Sequence, residues 1–181
     1  MAGNNQNAGV WPDADVYIST NMAAVIPAGP TTAFGVDWDL VGLLDGDDGF
    51  ADTRDEDVAD HYAWGGVLVR TTRAHFKATR KFSLLEDNTV TRSLIWPGST
   101  DTSLVVPRPA KVKVAFETRE LSTGKIRRLI SKNYAEVSVD GDITENETDV
   151  TKFQMQAVIY PDASVTPPQL WIRQASDLYS G

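Results

Sequence analysis

Two-residue alternation in the carboxyl-terminal half is the feature that most restricts this chain. From Lys111 to Leu121, Val112, Val114, Phe116 and Thr118 fall on one face, and Lys113, Ala115, Glu117 and Arg119 on the other. From Thr151 to Tyr160, Phe153, Met155, Ala157 and Ile159 oppose Lys152, Gln154, Gln156, Val158 and Tyr160. Between them Ile126 to Val139 reads as one returning strand, with Leu129, Tyr134, Val137 and Val139 apolar. Ser122-Thr123-Gly124-Lys125 and Asp140-Gly141 supply the turns. Such long strands, apolar on one face and polar on the other, predict a mainly β sandwich or barrel.

The remaining elements are shorter. Val16-Tyr17-Ile18, Ala24-Val25-Ile26 and Gln169 to Arg173 are β-rich, and Trp38 to Leu44 is an apolar run that ends in Asp45-Gly46-Asp47-Asp48-Gly49. Val67, Leu68 and Val69 mark a strand start, and Phe76, Ala78, Phe82 and Leu84 form a stripe whose apolar face only Arg80 breaks. One short helix is expected, capped by Asp87, carrying Val90, Leu94 and Ile95, and stopped by Pro97-Gly98. Residues 1–15 and 45–63 have no periodicity and read as an N-terminal arm and a long loop. A loop that long inside one domain usually has a job, and 181 residues favour a single domain, 1–181.

Charge is unevenly placed. The formal net charge is -8, an unpromising balance for gripping phosphate backbones. Residues 37–60 hold ten acids against Arg54 alone, whereas residues 61–130 hold thirteen bases and five acids. Acidic and basic segments placed side by side mark either solvated surface or surfaces that meet complements. Met1 to Val10 has no Lys, no Arg and no apolar run, so no secretory signal is expected. The uncharged part of Val16 to Val36 is broken by Pro27, Gly29 and Pro30, so no membrane span is expected there either.

Candidate chemistry is sparse. The chain has no cysteine and two histidines, which removes disulfides, thiolate zinc sites and cysteine nucleophiles. Asp45, Asp47 and Glu56 match three positions of a calcium-binding loop, but Gly49 and Phe50 break the frame. Asp60, His61, Ser83 and Ser99 offer triad residue types without a Gly-x-Ser-x-Gly elbow. Gly65-Gly66 lacks the Lys of a phosphate loop. Arg70, Arg73, Lys77, Arg80 and Lys81 interleave with Phe76 and Phe82, a pattern that fits a core face better than a base-stacking platform. His61 and His75 read as hydrogen-bonded structural residues. No cofactor, metal or catalytic residue is expected.

Residues 48–99 carry a resemblance. Asp48-Gly49-Phe50-Ala51-Asp52-Thr53-Arg54-Asp55-Glu56-Asp57, then Tyr62-Ala63-Trp64-Gly65-Gly66, Val69-Arg70-Thr71-Thr72, Phe82 to Asn88 and Trp96-Pro97-Gly98-Ser99 resemble in order a segment of the major tail tube proteins of long-tailed (siphovirus) actinobacteriophages. The resemblance implies a tail-tube-type fold: two packed β-sheets, a partial barrel completed by neighbours, with one short flanking α-helix and a long acidic loop. It implies a structural virion protein that self-assembles into hexameric rings, stacked as a tube through which phage DNA passes non-specifically. The implied partners are identical copies, a tape measure protein, and tail terminator and tail tip proteins. Assembly would occur in the host cytoplasm and the product would reside in the virion tail, with no membrane partner. For ~24 strands at ~4.8 Å spacing and ~40° tilt, the barrel diameter is ~48 Å, enough for a duplex after side chains are subtracted.

This frame assigns two surfaces. The 45–63 loop, with Asp47, Asp48, Phe50, Asp52, Arg54, Asp55, Glu56 and Asp57, and Trp64 just beyond it, is expected to reach a neighbouring subunit. Its acids would meet the partner's bases at 70–81, and Phe50 and Trp64 would anchor it. The face with Lys113, Glu117, Gln154 and Gln156 is expected to line the lumen. Three other functions remain open: a tube subunit of a phage-derived particle, a monomeric β-sandwich decoration or binding module, and a small hydrolase.

Overall fold

A computed structural model describes residues 9–176. The elements run β1 (Asp13–Ser19), β2 (Asp39–Leu40), β3 (Ala51–Tyr62), β4 (Leu68–Leu84), α1 (Thr89–Ile95), β5 (Ala110–Glu120), β6 (Lys125–Ser131), β7 (Ala135–Val139), β8 (Phe153–Ile159) and β9 (Trp171–Ala175). The protein is mainly β, and its antiparallel sheet does not close into a barrel. Strand order is β2-β1-β5-β7-β8-β4-β3, with β6 between β5 and β9.

The stretch expected to be one strand from 126 to 139 is two. Both halves follow the same strand: Ala115 pairs with Ile130 in β6, and Val112 pairs with Ala135 in β7. At the break, the next neighbour changes from β9 to β8. A strand that bends and changes partners turns one layer into two. The layers enclose an apolar core. Val16 and Ile18 come from β1, Phe82 and Leu84 from β4, Val112, Val114 and Phe116 from β5, and Phe153, Met155, Ala157 and Ile159 from β8. On β5 and β8, and for Phe82 and Leu84, these are the inward positions that the alternation predicts; Phe76, expected on the same face of β4, is instead exposed, because it lies beyond the stretch that β8 supports. Phe116 sits at the centre, edge-on to Phe82 at 5.5 Å and to Trp171 at 6.0 Å.

Helix α1 closes one side with Leu94 and Ile95. Its cap is Asn88 rather than Asp87: the Asn88 carboxamide accepts from the Thr91 N–H at 2.9 Å, while Asp87 pairs with Arg92. The Asn88 amide and the Thr91 hydroxyl also donate to the Val41 carbonyl. Gly42, at φ +114°, lies where a Cβ would come 2.5 Å from the Glu86 carboxylate. Only glycine permits that approach.

Three further expectations change. Residues 13–15 belong to β1, and residues 1–8 of the expected arm lie outside the described residues. Ala24-Val25-Ile26 is not a strand. It belongs to a segment folded over the outer face of β1, β5 and β6, where Ala24 and Trp38 pack on Ala115 and Ile130. The 45–63 segment is not a loop throughout, because Ala51–Tyr62 is a 12-residue strand.

Candidate assembly surface

β3 and β4 form a hairpin of which only the base belongs to the body. β8 supports β4 from Leu84 back to Ala78, opposite Ile159. Beyond Ala78, among the described residues, 55–77 pair only with one another, through Asp55↔Lys77, Asp57↔Ala74 and Asp60↔Thr71. None of them is buried. The ribbon carries a bulge between Asp55 and Asp57, where His75 holds φ 54°. The extra residue increases local twist. The tip is a Gly turn: the Gly66 N–H donates to the Ala63 carbonyl and the Ala63 N–H to the Val67 carbonyl, with Gly65 and Gly66 at φ 92° and 80°. Trp64 is fully exposed there, flanked by exposed Tyr62, Val67, Leu68 and Val69.

The acids of this region are engaged by the same chain's bases. Asp52 accepts from Arg80 at 2.6 Å, Glu56 from Arg73 at 2.7 Å, and Asp57 meets His75 at 2.9 Å. Asp48 accepts from the Ser83 hydroxyl at 2.6 Å and from Lys152 at 3.1 Å. The Asp47 N–H donates to the Asp45 carboxylate, which Lys152 also contacts. Arg54 and Asp55 are exposed on β3, opposite Ala78 and Lys77. The expected exchange of acids for a partner's bases at 70–81 is therefore corrected: strand pairing already satisfies several of these charges. Phe50 is corrected too. It packs edge-on against Phe116 at 5.1 Å and is not a free anchor.

The expected lumen face divides. Gln154 is exposed and Gln156 half-buried, on the polar outer face of β8 opposite Ser83 and Lys81. Lys113 and Glu117 are buried, at 9% and 3% exposure, which contradicts a solvated lumen position for them. Lys113's ammonium is destabilised by burial first and by Lys132 second, so its pKa falls. Glu117 is held by Arg128 and Arg119, and Arg119 also binds Asp13 and Asp15, each at 2.7 Å. Arg128 continues to the Gly29 and Thr32 carbonyls and stacks on Phe34. The parity was right for these two residues; at Glu117 the 20–38 cover, holding Arg128 through the Gly29 and Thr32 carbonyls and Phe34, helps exclude water.

Between the layers, beside Phe50, lies a cleft of ≈ 680 Å³. Its walls include Leu43, Phe50, Phe116, Leu129, Arg80 and Arg127. Arg80 projects inward from the core face of β4. Its guanidinium lies 4.9 Å from the Phe50 ring centre and 4.8 Å from that of Phe116. One nitrogen binds Asp52, but among the described residues the buried Nε has no hydrogen-bond partner. Burial lowers the Arg80 pKa, against the opposing pull of Asp52.

The triad types do not converge. Asp60 accepts from Thr71 at 2.7 Å, His61 meets Thr72 at 3.1 Å, and Ser83 binds Asp48. Among the described residues no group of three or more His, Asp or Glu could hold a metal ion. No helix there is long and apolar enough to cross a membrane. No protein-family model matches the chain, and no curated protein matches it. Sequence reasoning missed Tyr62, Val67, Leu68 and Val69 as surface. A partial signal was present, since Gly65-Gly66 directly before the β-rich Val67-Leu68-Val69 marks a turn entering a strand.

Proposed function

We propose that this protein is a structural subunit that polymerises into a phage tail tube, a conduit for DNA. The observation that carries the reading is the β3–β4 ribbon. It extends beyond the body, exposes an apolar tip, and among the described residues has no partner beyond Ala78. An isolated two-stranded ribbon is marginal in water, and an exposed aromatic cluster costs solubility; contact with further copies relieves both. The sequence resemblance at 48–99 supplies the identity of the assembly: hexameric rings stacked as the tube of the virion tail. On this reading its neighbours are identical copies, the tape measure protein and the terminator and tip proteins. The net charge of -8 suits a tube that must not bind its cargo.

The test is a clean removal of the ribbon. Replacing residues 56–76 by Asn-Gly joins Asp55 to its register partner Lys77 through a favoured hairpin turn. The body should remain folded, because no buried residue is removed. Electron microscopy of the intact chain with its neighbouring tail components should show tubes, and the shortened chain should give none. Tubes from the shortened chain would remove the ribbon from assembly. Dispersed monomers from the intact chain under the same conditions would favour a monomeric binding module.

A further inference from the structure

We propose that the cleft beside Phe50 is the receptor for the hairpin tip of a second copy, with Trp64 inserted between the layers and Arg80 Nε donating to the tip's backbone. This inference rests on the assembly reading above and names the partner surface that reading leaves open.

The two surfaces complement each other in kind. The cleft is ≈ 680 Å³ and lined by Leu43, Phe50, Phe116 and Leu129, within the size range of sites that take a bulky ligand group. It also carries guanidinium groups already disposed toward rings: Arg80 over Phe50 and Phe116, and Arg127 over Trp11. An indole is the side chain that gains most from such a neighbour. Arg80 contributes an independent observation. It is 8% exposed, it faces the cleft, and among the described residues its Nε has no acceptor. A buried donor without an acceptor is destabilising, so the site calls for an incoming oxygen. The tip offers one. Among the described residues, the Trp64 and Gly65 carbonyls accept no backbone hydrogen bond at the turn.

The occupant must come from another copy. The 12-residue β3 separates the tip from Phe50 at the cleft, which is ~40 Å at ~3.3 Å per residue. Pairing with β4 along that whole length prevents the tip from folding back. A tip-to-cleft contact is heterologous, because the two surfaces differ, and such contacts propagate into rings or filaments. The same separation sets the axial repeat: successive copies joined this way stand roughly 40 Å apart along the ribbon direction.

The chain has no cysteine, so single cysteines report cleanly. Val67→Cys places a thiol at the tip, and Leu43→Cys places one in the cleft wall. The control is Leu121→Cys, exposed in the β5–β6 turn. Equal mixtures of two single variants are oxidised under assembly conditions and scored for disulfide-linked heterodimers. The tip–cleft mixture should exceed the tip–control mixture at least about tenfold, as expected for held rather than random encounters. Arg80→Lys keeps the positive charge but removes the Nε donor; placed in the Leu43→Cys chain, it should cut that excess about tenfold. Tubes that form without any tip–cleft excess would overturn this inference and leave the tube reading standing. An unchanged excess with Arg80→Lys would remove Arg80 from the contact. Neither tubes nor cross-links would count against both.

Discussion

Glu117 illustrates how one residue can satisfy a pattern and still be misplaced by it. The alternation puts it on the polar face of β5, and that is where it lies. The alternation is silent about the 20–38 segment, which covers this face through Trp38 and through Phe34 stacked on Tyr17 at 4.2 Å. Contacts between residues so far apart in sequence leave no periodic trace. Removing the carboxylate tests the burial. Glu117→Ala leaves Arg128 buried beside Arg119, and such an uncompensated charge typically costs ~3–5 kcal/mol. Asp87→Ala, which breaks an exposed pair with Arg92, should cost under ~1 kcal/mol. Urea unfolding of the two variants should rank them so; equal losses would mean that Glu117 is not the keystone of the cover. The same network predicts acid sensitivity. Arg119, through its hydrogen bond first, holds the Asp13 carboxyl below its ordinary 3.8. The folded chain then binds that proton more weakly than the unfolded chain does. The stabilisation is complete above the unfolded value and is lost as pH falls through the lower, folded one. Asp13→Asn should flatten the fall in melting temperature below about pH 4. A profile unchanged by the substitution would place the acid sensitivity elsewhere, Asp45 with Lys152 being the next such pair.

At the level of elements, legibility followed burial. The strands with one face in the core announced themselves, as did the single helix, displaced by one residue at its cap. β3 did not, because both its faces meet water. With no buried face there is no reason for alternation, and Asp and Glu are weak strand formers. β3 is held extended by its backbone ladder with β4, across which the acidic run lies against the basic run and adds Asp52–Arg80 and Glu56–Arg73. The sequence showed both runs and left open whether they met within one chain. The split of 126–139 into β6 and β7 was hidden for the opposite reason, since both halves alternate and the break at 132–134 is visible only in the change of neighbour. This architecture predicts an uneven stability. Amides of residues 55–62 and 68–77 hold no core contact and should exchange with deuterium much faster than those of 78–84, which β8 covers. In assembled material the same ribbon amides should become protected. Ribbon protection already equal to that of 78–84 in the monomer would contradict the projecting, unpartnered hairpin.

The whole molecule combines a sheet that does not close with a charge that should keep copies apart. One edge is β2, two residues long, and another is β3, lined with acids; both discourage indiscriminate strand addition. The formal net charge of -8 adds general repulsion between copies. Association then depends on the apolar tip and the cleft rather than on ion pairs, since several of the acids and bases of the ribbon already satisfy one another. Salt separates these alternatives. Raising ionic strength from about 0.01 M to about 0.15 M shortens the screening length from ~30 Å to ~8 Å. If copies were joined by acids meeting a partner's bases, that change would dissolve assemblies. With an apolar contact formed against a net repulsion, it should promote them, lowering the protein concentration at which sedimenting material first appears. The ribbon's own pairs are exposed, so salt screens them, but each contributes little to begin with, so the intact chain and Glu56→Gln should respond to salt alike. Assemblies that disperse as salt rises would show that charge, and not Trp64 and its neighbours, carries the contact between copies.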